Sequence, residues 1–337
     1  MNMGRNGRRF ISILLAFAMI FGSTDVFADG LSSSGDFTKE TYYDENEELT
    51  WVFNHYKDGT AEVLDVYRGT SNTHPLTGTI EIPSKLKGAS VTKVSGGFEE
   101  KNAKKIIFPD SVTEIGTSAC ATGNSLLEVT LSYGLKIIGK DAFYDDILLK
   151  NITIPSSVTE IRDEAFKHDV AISRLDLPES VTTIGASAFS KMSVLSAITL
   201  PDSLKTIGDH AFSGCAVLKT VVCGSSLTAL PAGLFENCPA LQRVAISKNV
   251  TEIGQGAFSG TTALGHIYYS GTEEEWKKIT VASGNEALSK AVMHYNSTMP
   301  ESSSFNKQFD FLVRDKATGE PVPSTVHESE NEHRNQQ

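Results

Sequence analysis

An isoleucine or leucine, in most cases followed by a small residue, recurs at Ile115, Ile138, Ile161, Ile184, Ile207, Leu230 and Ile253, always 23 residues apart. So fixed a period implies a solenoid, in which each repeat is one coil and equivalent side chains stack into columns. Ile106, Val129, Ile152, Leu175, Ile198, Val221, Val244 and Ile267 form a second column, and Phe108, Leu131, Ile154, Leu177, Leu200, Cys223, Ile246 and Tyr269 a third. Two apolar columns one residue apart describe a period-2 strand with one buried face. The intervening residues, among them Ile107, Thr130, Thr153, Thr199 and Val222, suit the exposed face of a parallel ladder.

Pro109, Pro155, Pro178 and Pro201 end that strand, because proline has no N–H for a continuing ladder. A second short strand is expected around Val112, Leu135, Val158, Val181, Leu204, Leu227 and Val250. Gly116, Gly139, Gly185, Gly208 and Gly254 follow, and they are expected to turn the chain through positive φ. An Ala-Phe corner closes each coil, with Phe143, Phe166, Phe189, Phe212, Phe235 and Phe258 in one column. Coils about 4.8 Å apart would stack these rings into a continuous internal spine.

The consensus, roughly LxxIxLPxSVTxIGxxAFxxC, resembles the BspA-like, or treponemal-type, leucine-rich repeats of bacterial surface proteins over about residues 78–296. Departures are local: Cys120 stands for Phe, Arg162 for Gly, and Leu230-Pro231 for Ile-Gly. The fold class is therefore a mainly β repeat solenoid of the leucine-rich-repeat type. The resemblance implies a non-enzymatic, adhesin-like surface role toward host proteins or other bacteria.

Solenoid ends need covers, since each exposes an apolar cross-section. Residues 49–77 are assigned as the N-terminal cap, a hairpin around Lys57-Asp58-Gly59. Residues 29–48 read as an acidic, weakly ordered lead. At the other end, Gly271 and Thr272 start a short helix through Trp276, with Glu273 to Glu275 in its first turn, where the helix dipole favours acids.

Before the lead, Arg5, Arg8 and Arg9 precede an apolar run from Phe10 to Phe21 and then small residues up to Ala28. This order is that of a secretory signal peptide over residues 1–28, and the run is short for a membrane span. Export to a secreted or cell-surface location is expected, with no membrane insertion after cleavage. Residues 297–337 hold a linker, an alternating segment at Phe309, Phe311 and Val313, and a polar end. That segment resembles the opening strand of the small β-sandwich repeats in adhesin stalks, so a truncated module and a plain disordered tail are both open.

Thirty Lys+Arg against 41 Asp+Glu give a formal charge of −11, with no basic run beyond residue 9, which argues against nucleic acid as a partner. No CxxC, HExxH, GxGxxG or GxxxxGK[ST] occurs, and the eight His share no column. No cofactor, metal or catalytic residue is assigned. Cys215 and Cys238 fall in one column, within disulfide reach, yet same-column side chains run parallel, so a bridge and two buried thiols both remain. Asp141, Asp145 and Asp146 on one coil sit beside Asp163, Glu164 and Asp169 on the next, with Asp146 directly under Asp169. Three outcomes are open there: neutralisation by Lys140, Arg162 and Lys167, screening by solvent, or a bridging Ca²⁺.

An extended open surface suits proteins and polymers better than small molecules. Arg174, Asp176, Arg243 and Tyr268 are the distinctive residues of the strand face and hence the candidate partner-binding residues. Protein partners lead this reading. Glycans are the alternative, with Tyr268 the one aromatic platform on that face, and a structural spacer for a missing downstream module is another.

Overall fold

The computed structural model describes residues 36–70, 76–99 and 101–298. The segment read as a signal peptide, residues 1–28, and the chain beyond residue 298 lie outside the described residues. What is described is a stack of short parallel strands with a cap at each end, as the 23-residue step requires.

One column of strands runs through Ala89–Val94, Glu114–Ile115, Ile137–Ile138, Glu160–Ile161, Thr183–Ile184 and Thr206–Ile207. In it Ile115, Ile138, Ile161, Ile184 and Ile207 pair in parallel register. The column resumes as Ala229–Leu230, Glu252–Ile253 and Thr280–Val281. A second column carries Thr77–Glu81, Asn102–Ile107 and Glu128–Thr130, and further on Ala197–Thr199, Thr220–Val222, Arg243–Ile246, His266–Tyr269 and Val292–His294. Between those two runs the ladder is reduced to a single bridge from Glu128 to Asn151, so the coil bearing Arg174 and Asp176 has no regular strand.

Two local expectations are corrected. The Val112 column lies in a turn and not in a strand: the N–H of Val112, Val158, Val181 and Leu204 donates to the carbonyl of Pro109, Pro155, Pro178 and Pro201, each at 3.0 Å. Proline thus opens a β-turn, and the strand begins two residues later. The glycines after the Ile column do not supply positive φ either. That conformation falls two residues on, at Ser118, Asp141, Glu164, Ser187 and His210, and again at Thr122, Asp145, His168 and Lys191. Glycine is needed for closeness: a Cβ on Gly139 would lie 2.5 Å from the Ile115 carbonyl oxygen, and one on Gly208 would overlap the Ala186 nitrogen.

The corner rings form the expected spine. Phe143, Phe166, Phe189, Phe212, Phe235 and Phe258 are all fully buried. Neighbouring centroids lie 5.2 to 6.1 Å apart, nearly parallel at Phe166–Phe189 (5°) and tilted at Phe235–Phe258 (41°). Backbone bonds tie the same corner: the N–H of Phe143, Phe166 and Phe189 donates to Ala165, Ala188 and Ala211 of the next coil. Cys120, at the Phe position of the first full coil, is buried and ends the ring stack.

The N-terminal cap is larger than a hairpin. Within the segment read as a weakly ordered lead, β1 (Phe37–Asp44) pairs antiparallel with β2 (Leu49–Tyr56), which pairs with β3 (Thr60–Arg68). β3 then runs parallel to Ala89–Val94 and hands the sheet to the solenoid. Alternation along β1 is weak in sequence because this edge strand buries none of its residues, whereas Trp51 and Phe53 of β2 are buried. Glu62 sits in this cap, accepting from Ser95 (2.5 Å), Tyr56 (2.6 Å) and Asn54 (3.1 Å). Burial by itself would raise its carboxyl, and these bonds with Lys93 outweigh that and hold it below the usual range.

At the opposite end, Thr272 caps α1 (Glu273–Trp276) with a capping box, and Tyr269 meets Trp276 edge-on at 5.1 Å. Thr272→Ala is expected to cost about 1 kcal/mol of stability, measured by urea unfolding, because the Glu275 N–H at the helix start loses its acceptor, Thr272 Oγ1.

Candidate binding surface

The open face of the second strand column carries three of the four sequence-predicted residues in exposed positions. Arg174 and Asp176 pair with each other at 3.0 Å, both largely exposed. Arg243 is exposed on its strand, in register with Thr220 on one side and His266 on the other. Three coils separate it from Arg174, roughly 14 Å at the parallel-strand spacing. The two arginines therefore reach one face without touching.

Tyr268 is not an exposed platform. It keeps only 8% of its surface, because Val292–His294 adds a further rung and stacks the His294 ring on it at 4.5 Å and 8°. His266 Nδ1 meets His294 Nε2 at 3.1 Å. This pair escapes a column search because the last rung follows after 26 residues, the helix having been inserted into the repeat.

The acidic corner divides into an outer and an inner group. Its outer members are matched by bases: Lys167 with Glu164 (2.8 Å), His168 with Asp145 (2.5 Å) and Lys140 with Asp141 (4.0 Å). Arg162 turns instead to Glu160 (2.9 Å) and Glu114 (3.7 Å). A shallow hollow of about 380 Å³ lies over this corner, lined by Glu99, Ser118, Thr122, Asp141, Tyr144 and Glu164. Burial and the nearby Glu164 raise the Asp141 carboxyl. The inner members, Asp146 and Asp169, are fully buried and have no ion pair with a base among the described residues, so neither neutralisation by Lys140, Arg162 and Lys167 nor solvent screening describes them.

All four cysteines are free and buried. Burial pushes the Cys223 thiol up to about 12, which denies it thiolate reactivity. Cys215 and Cys238 each point sulfur at a backbone carbonyl, of Phe189 (3.3 Å) and Phe212 (3.1 Å). Among the described residues no three His, Cys, Asp or Glu converge in a manner that would hold a metal ion. Among the same residues no helix is long and apolar enough to cross a membrane.

Comparison with known proteins agrees with this architecture. A leucine-rich repeat protein of Bacteroides ovatus aligns with 23% identity over 81% of this chain and 71% of its own, with a TM-score of 0.54. The Treponema pallidum leucine-rich repeat protein aligns with 23% identity over 70% and 91%, TM-score 0.44. A leucine-rich cell surface protein of Faecalibacterium prausnitzii aligns with 20% identity over 77% and 99%, TM-score 0.27. No curated protein matches. The model of the BspA-type leucine-rich repeat region matches residues 75–172 and 159–280 in six copies. With that match spanning most of the solenoid, and with its strand, turn and corner columns all in place, the chain belongs to the BspA-type leucine-rich repeat family.

Proposed function

We propose that this protein is exported and binds other macromolecules, in the first place proteins of a host or bacterial surface, through the open strand face of its solenoid, without catalysing a reaction. The observation that carries the reading is that one open face exposes Arg243, on its strand, and the Arg174–Asp176 pair, on the irregular backbone of an earlier coil. Arginine is among the residue types that dominate binding energy. Export is supported by the charged, apolar, small-residue order of residues 1–28.

The glycan reading needs an aromatic platform, and the stacking of Tyr268 on His294 removes the one it relies on. Protein partners are therefore preferred. The test compares the full chain with a triple variant, Arg174→Ala, Asp176→Ala and Arg243→Ala, on host-matrix and bacterial surface extracts with a glycan array alongside. Proteins held by the parent and released by the variant, with at least about a tenfold loss of affinity, are expected. A folded variant that keeps full affinity for an identified partner overturns the assignment of this face.

A further inference from the structure

Three residues after each corner Phe position lies one column: Gly123, Asp146, Asp169, Met192, Cys215, Cys238 and Thr261. Its small polar members share a habit. Cys215 and Cys238 direct sulfur to the carbonyls of Phe189 and Phe212, and Thr261 Oγ1 donates to Phe258 O at 2.7 Å. The wall of this column thus presents carbonyl acceptors and asks its occupants for hydrogen.

Asp146 and Asp169 occupy that column with no exposed surface. One oxygen of each is satisfied: Asp146 Oδ1 accepts from the Gly123 N–H at 2.6 Å, and Asp169 Oδ1 from the Asp146 N–H at 2.8 Å. Oδ2 of each is buried with no donor in reach. Two carboxylates in that position would face each other one coil apart in a medium of low dielectric, each with an unmet acceptor. The groups around them make ionisation harder. Asp145, beside both, is acidic and its ion pair with His168 is spent at the surface. From the preceding coil come the Cys120 thiol and, beyond it, Glu99, while Met192 in the following coil is uncharged. Lys140, Lys167 and Arg162 are engaged elsewhere.

We infer that Asp146 and Asp169 are neutral carboxylic acids in the folded protein, each holding its proton on Oδ2 and donating it to a wall carbonyl, so that the coils they join open when the proton is removed. The positional counterparts of the carbonyls used by Cys215 and Cys238 are those of Cys120 for Asp146 and Phe143 for Asp169. Burial first, and the charge of Asp145 after it, push the Asp146 carboxyl from 3.8 up to about 8, against the bond from Gly123. Burial and the neighbouring Asp146 drive Asp169 in the same direction. Between pH 3.8 and about 8 the folded chain keeps a proton that the unfolded chain has released. Stability therefore falls as pH rises across that window and levels off above it, opposite to a salt-bridged carboxylate.

The full chain and an Asp146→Asn, Asp169→Asn variant would be melted at a series of pH values from 5 to about 9. The amide nitrogen supplies the donor without the ionisation, so the parent's melting temperature is expected to drop with pH by several degrees more than the variant's, leaving the variant ahead at the alkaline end. Parallel profiles overturn the inference. Infrared spectroscopy of the parent in D₂O at neutral pH reads the same protons without a variant. A neutral-carboxyl stretch that persists at about pH 7, where exposed carboxyls are ionised, and vanishes on alkaline titration is expected. Its absence overturns the inference even where the variant does not fold.

Discussion

Phe189→Ala and Phe212→Ala are each expected to lower the unfolding free energy by about 3–5 kcal/mol. Both rings are fully buried in the middle of the spine, and each has a ring on either side: Phe189 at 5.6 and 5.2 Å, Phe212 at 5.2 and 6.1 Å. Truncation loses the transfer free energy of a phenyl group and leaves a cavity that cannot collapse, because the backbone above and below is fixed by the Phe189 N–H to Ala211 and Phe212 N–H to Leu234 bonds. In a solenoid the damage reaches both neighbouring coils, since stability is a sum of coil and interface contributions. Phe258→Ala should cost less than either, as its ring has one neighbour, tilted by 41°. Urea unfolding of the three variants measures this, and a loss under about 1 kcal/mol at both central positions would show that the spine does not support the stack.

The columns are legible in the sequence because a strict period makes spatial neighbours of residues 23 apart. Ile138 on Ile161 and Phe166 on Phe189 follow from counting. What counting does not reveal is depth. The stacking of Asp146 and Asp169 is plain from their spacing, but a carboxylate pair suggests surface, and only the burial of the same column at Cys215, Cys238 and Thr261 tells that its aspartates are inside. Tyr268 is misplaced by the period for the converse reason: the rung that covers it, Val292–His294, is out of step, so the residue that counting makes the last exposed one is roofed over. β1 escapes because an edge strand with many polar residues has a composition close to that of an acidic tail. Alternation alone puts Arg174, Asp176 and Arg243 on the open face, and they are exposed there, although the first two stand on irregular backbone.

Gly208→Ala is expected to cost about 1–3 kcal/mol or more, while Gly256→Ala, two positions after the equivalent glycine of a later coil, should cost about 1 kcal/mol. The two glycines separate two reasons for having no side chain. Gly256 has φ +62°, and the nearest atom to an added Cβ is Ser259 Cβ at 3.5 Å, so alanine there meets only the mild strain of a left-handed residue. Other coils bear it at Asp141, Glu164, Ser187 and His210. Gly208 has an ordinary φ, but its added Cβ would overlap the Ala186 nitrogen and fall 2.6 Å from both Ala186 Cα and the Gly185 carbonyl carbon. All three are backbone atoms of the coil below, and no rotamer change relieves the overlap. Relief requires prising apart coils that the Gly208 N–H holds together through the Ile184 carbonyl at 2.9 Å. Arg162 and Pro231 occupy the same column, so the stack accepts a side chain where a coil was built around it. Gly208 lies one coil above Gly185, with only backbone between the two. Denaturation midpoints of the two variants decide the matter: equal losses, or a larger loss at Gly256, would mean that contact between coils does not select glycine after the Ile column.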